Sequence, residues 1–332
     1  MADVVTKPFY SALIEHGKAH PQVAVVTNDL TASCEADGFR SEFPDRHVSA
    51  GMAEQVLVAA MSGMAHEGLY PIYTSFAVFC TRRPYEQVAL TLAYPAKKAT
   101  MVGFLPGLTT PGGVTHQAVD DIGLMAALPN MTVVEAADAT DMETALDAVR
   151  DIPGPVYIRG LRGEVPRLFG EPLVVGRHRT LREGSDVLVI VSGHLTQAVM
   201  EVVDDLDQAG HPPVGVVNVS TLKPFDDIEL IDKIVSASHV VTVENHWTSS
   251  GLARIVAGVV SSHGSVTKLL HVGVGDTFTH GGSAKYLEEF YGIGRADIRR
   301  AILVAQGLHD DVNASRLDGS TIGLTAGVAE GL

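Results

Sequence analysis

Residues 131–158 read MTVVEAADATDMETALDAVRDIPGPVYI. An apolar, β-branched run at 131–135 is followed by helical spacing over 140–150 and by a second apolar run at 155–158. Continuous apolar strands on either side of a helix indicate a parallel sheet covered on both faces. The same alternation extends upstream. A helix over 7–19 precedes a strand at 23–27. A helix at 53–67 ends at Gly68. A strand at 71–74, a helix at 83–94, a strand at 99–104 and a helix at 117–127 follow.

The pattern breaks at 160–184. Arg, Gly and Pro cluster in GLRGEVPRLFGEP, and GRHRTLREG reads as a polar linker. A second alternating set then begins. Strands are expected at 186–191, 214–219, 239–243 and 268–272. Helices are expected at 194–209, 226–236 and 249–262, and 283–305 reads as helical. The expected fold class is α/β in two domains, 1–175 and 180–310, each a mostly parallel sheet flanked by helices. The Gly/Ala/Ser/Asp-rich stretch 311–332 lacks periodicity and reads as a mobile tail.

Composition narrows the function. The chain has 332 residues, 46% apolar residues and a net charge of −15. That charge argues against a nucleic-acid or anionic-membrane surface and fits a protein handling small molecules. No apolar run approaches the ~18 residues of a membrane span. The first residues, MADVVTKPFY, have an acid at Asp3 and no apolar core, unlike a signal peptide. Cys34 and Cys80 make no disulfide framework, and a reducing cytoplasm is expected.

Three segments carry candidate chemistry. In RHVSAGMAEQ, Glu54 opens a strongly apolar helix. A Glu in a first helical turn is ordinarily just favoured by the helix dipole. A carboxyl held in a dry pocket instead resists ionisation and can donate a hydrogen bond to a ring nitrogen. In TSFAVFCTRRPYEQ, Phe76 and Phe79 are three apart and share a helical face, either as core or as a shelf for a flat heterocycle. In GFLPGLTTPGGVTHQAVDD, a Gly/Pro-rich loop ends in Thr-His-Gln before a helix. It is either a plain surface loop or a ligand-holding one.

Together these segments are specific. GMAEQ, S-F-x-x-F, G-G-x-T-H-Q, LPNMTVVEAADATDMETAL and PVYIRGLRGEVP stand in one order. That order resembles the pyrimidine-binding domain of transketolases and 1-deoxyxylulose-5-phosphate synthases. The resemblance resumes at VSTLKPFD, VVTVENHWTSSGL and VGVGDTF, and covers about residues 5–305. In that family the cofactor is thiamine diphosphate, bound between two protein halves. The other half carries a Gly-Asp-Gly…Asn motif for the diphosphate and its Mg2+ (or Ca2+). No such motif, P-loop or GxGxxG stands in this chain, and Gly275-Asp276-Thr277 lacks a following Asn. The resemblance therefore implies an N-terminal transketolase subunit as partner, in an α2β2 assembly, and no metal ligand in this chain.

The resemblance also implies residue roles. Glu54 would hydrogen-bond the aminopyrimidine N1′ and activate the cofactor. Phe76 and Phe79 would stack on its ring. Asp29 would lie close to the cofactor and Ser33 would contact substrate. His116 would stand near the reacting carbon, and Arg159 would bind the anionic end of the substrate. Arg82 lies where many transketolases place a Tyr against the pyrimidine and counts among the cofactor positions, its role open. Two positions depart from the family pattern. Gly112 stands where a substrate Asp is usual, and Phe104 where a substrate His is usual. A polar group that reads a hydroxyl gives large discrimination, so an atypical sugar or keto substrate is expected for a two-carbon ketol transferase. The competing reading is a β subunit of a 2-oxoacid dehydrogenase, with the same length and glutamate role but usually without the THQ segment. A non-catalytic regulatory partner is the third, against which the retention of Glu54, Phe76, Phe79 and His116 argues.

Overall fold

A computed structural model describes residues 3–184 and 186–308. The expected tail at 311–332 lies outside the described residues. The first sheet contains β2 (Val23–Thr27), β3 (His47–Ser49), β4 (Tyr70–Phe76), β5 (Ala99–Phe104), β6 (Thr132–Glu135) and β7 (Pro155–Gly160), all parallel. Its order is β12-β6-β7-β5-β4-β2-β3. The edge strand β12 (Thr221–Lys223) pairs antiparallel with β6 and comes from the second half of the chain. Helices α1 (Pro8–Ala19), α2 (Asp37–Glu42), α3 (Glu54–His66), α4 (Ala77–Thr81), α5 (Tyr85–Gln87), α6 (Asp121–Ala126) and α7 (Ala139–Val149) cover the faces. β2, VAVVT, is buried at every position, as a strand covered on both sides must be.

The second sheet has the order β14-β13-β10-β11-β9. β10 (Val187–Val191), β11 (Gly215–Val219), β13 (His239–Trp247) and β14 (Lys268–Val274) are parallel. Around them lie α8 (Leu195–Gln208), α9 (Ile228–Ser236), α10 (Leu252–Ser262), α11 (Ala284–Phe290) and α12 (Arg295–Ala305). α8 shows why: Leu195, Val199, Val202, Val203 and Leu206 fall on one face and are all buried. One apolar core joins the two sheets, running from Val26, Met101 and Tyr157 to Leu188, Val217 and Val256.

Several local readings need correction. The stretch 176–184 is not a free linker: β9 (His178–Arg182) pairs antiparallel with β11. β8 (Glu164–Arg167) pairs with β1 (Asp3–Thr6), and the Asp138 carboxylate accepts the Leu168 and Phe169 N–H groups at 2.8 Å each. The helix expected at 83–94 is one short α turn followed by a π-helical segment over Val88–Ala93. The helix expected from 117 starts only at Asp121. The stretch 283–305 forms two helices, parted where Gly292 takes φ +73°.

Candidate active site

The carboxyl ends of the parallel strands gather the candidate residues on one edge of the first sheet, where open α/β sheets bind ligands. β2 leads into the exposed Asp29 and half-buried Ser33; β4 delivers Phe76 and then Phe79 on α4. β5 opens the loop 105–120, and His116 closes its short 3-10 turn.

Phe76 and Phe79 are stacked with ring centroids 5.9 Å apart. The His116 ring stands edge-on to both, at 5.2 Å from Phe79 and 6.4 Å from Phe76. The three residues thus form one aromatic corner. Gly112 is exposed beside it, and a Cβ there would meet His116 Cβ at 2.7 Å. A side chain at 112 would have to displace the imidazole, so the glycine sets how closely the loop folds over His116.

Glu54 is the first residue of α3 and is only 4% exposed. Its Oε1 accepts a hydrogen bond from Arg83 Nη1 at 2.6 Å, and the same guanidinium lies 4.1 Å from the Phe79 ring centroid. Arg83 therefore bridges the buried carboxylate and the aromatic shelf, while 48% of its own side chain remains exposed. Sequence reasoning missed it, although its spacing of four from Phe79 placed it on the same helical face.

Two expected site residues lie in the interior. Arg159 is fully buried. Its Nε donates to Asp121 Oδ2 at 2.9 Å and Nη1 to Glu135 Oε1 at 2.6 Å. Its Nη2 donates to the carbonyls of Ala118 at 3.0 Å and Asn245 at 2.8 Å. Its place is in the core, on a strand whose residues are all buried. The accessible cation of the same motif is Arg162, half-buried, with no ion pair among the described residues, and 5.9 Å from the Phe76 ring. Phe104 is fully buried too, edge-on to Phe9 at 5.3 Å. The next residue, Leu105, takes φ +56° and, with Arg162 and His194, lines a cavity of about 170 Å3.

Arg82 is committed to the loop. Its Nε contacts both Asp120 oxygens at 3.0 and 2.8 Å, and its Nη atoms donate to the carbonyls of Val114 and Gln117. It holds the segment that carries His116.

Behind the corner lies a buried charged junction. Burial alone would push the Asp121 carboxyl up, but the adjacent Arg159 and His246 hold it low. Burial lowers His246, whose Nε2 accepts the Ile122 N–H at 3.2 Å. Burial pushes Glu244 up to about 8, although it accepts the Leu252 and Ala253 N–H groups at the start of α10. One group of possible metal ligands appears among the described residues: His16 on α1, His20 just past its end and Asp147 on α7. Arg150 Nη1 lies 3.3 Å from His20 Nε2, a poor neighbour for a cation. No helix of the described residues is long and apolar enough to cross a membrane.

Comparison with known proteins agrees with this architecture. The transketolase pyrimidine-binding domain matches residues 4–167 and the transketolase C-terminal domain residues 176–298. A protein named only to the transketolase family, y4mN of Sinorhizobium fredii, is 36% identical over 90% of this chain and 88% of its own. The 6-deoxy-6-sulfo-D-fructose transketolase subunit SqwH of Clostridium sp. (strain MSTE9) is 32% identical over 88% of this chain and 91% of its own. A solved structure titled as a split gene transketolase, inactive beta4 tetramer, superposes with a TM-score of 0.82 at 33% identity, over 91% of this chain and 98% of that one. The chain belongs to the transketolase family.

Proposed function

We propose that this chain is the pyrimidine-side subunit of a two-subunit transketolase that transfers a two-carbon ketol unit from a ketose to an aldehyde. The observation that carries the reading is the buried Glu54 carboxyl beside the Phe76–Phe79–His116 corner. Those groups fit the aminopyrimidine half of thiamine diphosphate: a hydrogen-bonding carboxyl at one edge, an aromatic face beneath. The diphosphate and its Mg2+ or Ca2+ need a different donor set, assigned here to a second subunit in an α2β2 assembly. Bound thiamine diphosphate supplies the nucleophilic carbon that takes up and delivers the two-carbon unit.

This chain's residues then have separable tasks. Glu54 holds a proton or hydrogen bond at the pyrimidine edge. Phe76 and Phe79 orient the ring. His116 exchanges hydrogen bonds or a proton with substrate oxygens near the reacting carbon. Ser33 contacts the substrate and Asp29 lies toward the cofactor. A ring seated on the shelf and bonded to Glu54 takes both contacts that Arg83 makes, so Arg83 turns outward when the site fills.

The substrate is atypical for the family. The cavity beside the corner pairs apolar walls, Leu105, Val165 and Pro166, with the Arg162 guanidinium and His194, and Glu164 stands at its rim as the one acid. That pairing suits a substrate with a deoxygenated segment and an anionic end, the chemistry named in the sulfofructose relative. Gly112 leaves no side chain to read a hydroxyl there.

The test is Glu54→Gln in the complex purified with its partner. The expected loss is about 2–4 kcal/mol in barrier, roughly 30- to 1000-fold in kcat. Undiminished ketol transfer by that variant, or full activity of this chain alone, would sink the reading.

A further inference from the structure

The loop 105–120 carries His116, yet much of what fixes it belongs to the second half of the chain. The loop closes on itself where Gly107 N–H donates to the Ala118 carbonyl at 2.7 Å. At this neck the Asn245 side chain, from β13, reaches across the domain junction. Its Oδ1 accepts the Leu108 N–H at 3.0 Å, and its Nδ2 faces the Pro106 carbonyl at 3.5 Å. Asn245 is buried to 1% exposure, so these contacts face no competition from water. The approach is close enough that a Cβ on Gly107 would meet Asn245 atoms at 2.4 Å. The flanking residues act alike. Trp247 N–H donates to Val119 O at 2.9 Å, and His246 Nε2 accepts Ile122 N–H. At the loop's far end Gln117 Nε2 donates to the His280 carbonyl at 3.2 Å.

We infer that Asn245 is a positioning residue for the transfer reaction: through the Pro106–Leu108 backbone it sets the distance of His116 from the Phe76–Phe79 shelf. The second domain thereby contributes to catalysis without touching substrate. The inference rests on the role of His116 given above.

Geometry makes the effect large for a remote side chain. Arg82 grips the loop from the first domain and Asn245 from the second, so releasing one grip lets the loop drift toward the other. A displacement on the order of 1 Å can cost as much as a hundredfold in rate. The inference therefore predicts a loss in kcat with little change in cofactor binding, because Glu54, Phe76 and Phe79 stand on α3, β4 and α4, outside the loop that Asn245 holds.

The experiment is a double-mutant cycle on the complex with its partner subunit, thiamine diphosphate and Mg2+. Asn245→Ala is expected to lower kcat by roughly ten- to a hundredfold. The half-saturating concentration of thiamine diphosphate should move less than about twofold. In a His116→Ala background the same substitution should cost less than about a third of that loss on a logarithmic scale, because it acts through His116. Asn245→Ser, which keeps a polar group but is too short to reach Leu108 and Pro106, should reproduce the pattern even if Asn245→Ala folds poorly. Equal losses in both backgrounds, or unchanged kcat in a folded Asn245→Ala complex, would overturn the inference while leaving the His116 role intact. Full turnover by His116→Ala alone would remove that role, and this inference with it.

Discussion

Two charged clusters lie back to back in the first domain and behave in opposite ways. At the open edge, Glu54 is buried but pairs with a guanidinium that is half in water and stacked on Phe79. At the junction, Arg159, Asp121 and Glu135 are all buried and held by several hydrogen bonds within this chain. The difference separates charges sealed within the fold from a buried carboxyl whose partner faces solvent. Such a buried network costs desolvation that its ion pairs and hydrogen bonds must offset, with Asp121 Oδ1 and Glu135 Oε2 left without a hydrogen bond. An exposed partner on a buried carboxylate is weakly held and easily exchanged.

The same substitution in both clusters breaks or supports this contrast. Arg159→Met leaves Asp121 and Glu135 buried without their cation and should cost about 3–5 kcal/mol of stability. Arg83→Met should cost clearly less, because its guanidinium is half exposed and only one buried carboxylate, Glu54, loses its cation. Denaturant unfolding checks both, and equal costs would erase the distinction. Next in size, Phe79→Ala removes the shelf and should weaken thiamine diphosphate half-saturation in the assembled enzyme. Stacking of a base on an aromatic side chain is worth about 1–3 kcal/mol. A titration of activity against cofactor reads this, and unchanged half-saturation would count against the shelf.

The smallest expected effect is a pH slope at the junction. Glu244 lies near 8 in the folded chain because it is buried, against an ordinary value of 4.5. The folded state thus favours the protonated form more than the unfolded chain does. That contribution is complete below pH 4.5 and is lost as pH rises through 8. Burial lowers His246, which gives a slope of opposite sign that is mostly spent about one unit above its ordinary value of 6.5. Melting temperature should therefore decline by a few degrees between pH 6.5 and 9, and Glu244→Gln should flatten that slope.

Much of the fold was legible because continuous apolar runs such as Val23–Thr27 and Val187–Val191 leave little choice but a covered parallel strand. The short edge strands were not. β9 is polar and β12 only three residues long, so neither shows a strand period, and tertiary pairing alone makes them strands. At the site, local spacing put Phe76 and Phe79 together, but the choice between Arg159 and Arg162 was not local. It depends on where β7 ends and which charges lie behind it, and Asp121 and Glu135 are remote in sequence. Arg83 was within reach of a helical-face argument. Asn245 was not, since its partner loop lies well over a hundred residues away.

The strand β12 has an outcome for anyone dividing this protein. It caps the outer edge of the first sheet, with Thr221 opposite Val134, and the Ser220 carbonyl accepts the Glu135 N–H at 2.8 Å. Cutting the chain between the two sheets would strip β6 of that cover and expose a bare row of backbone donors and acceptors. Such an edge recruits strands from other molecules. A fragment ending near residue 175 should therefore clump rather than stay dispersed, and the two halves are better expressed as one piece.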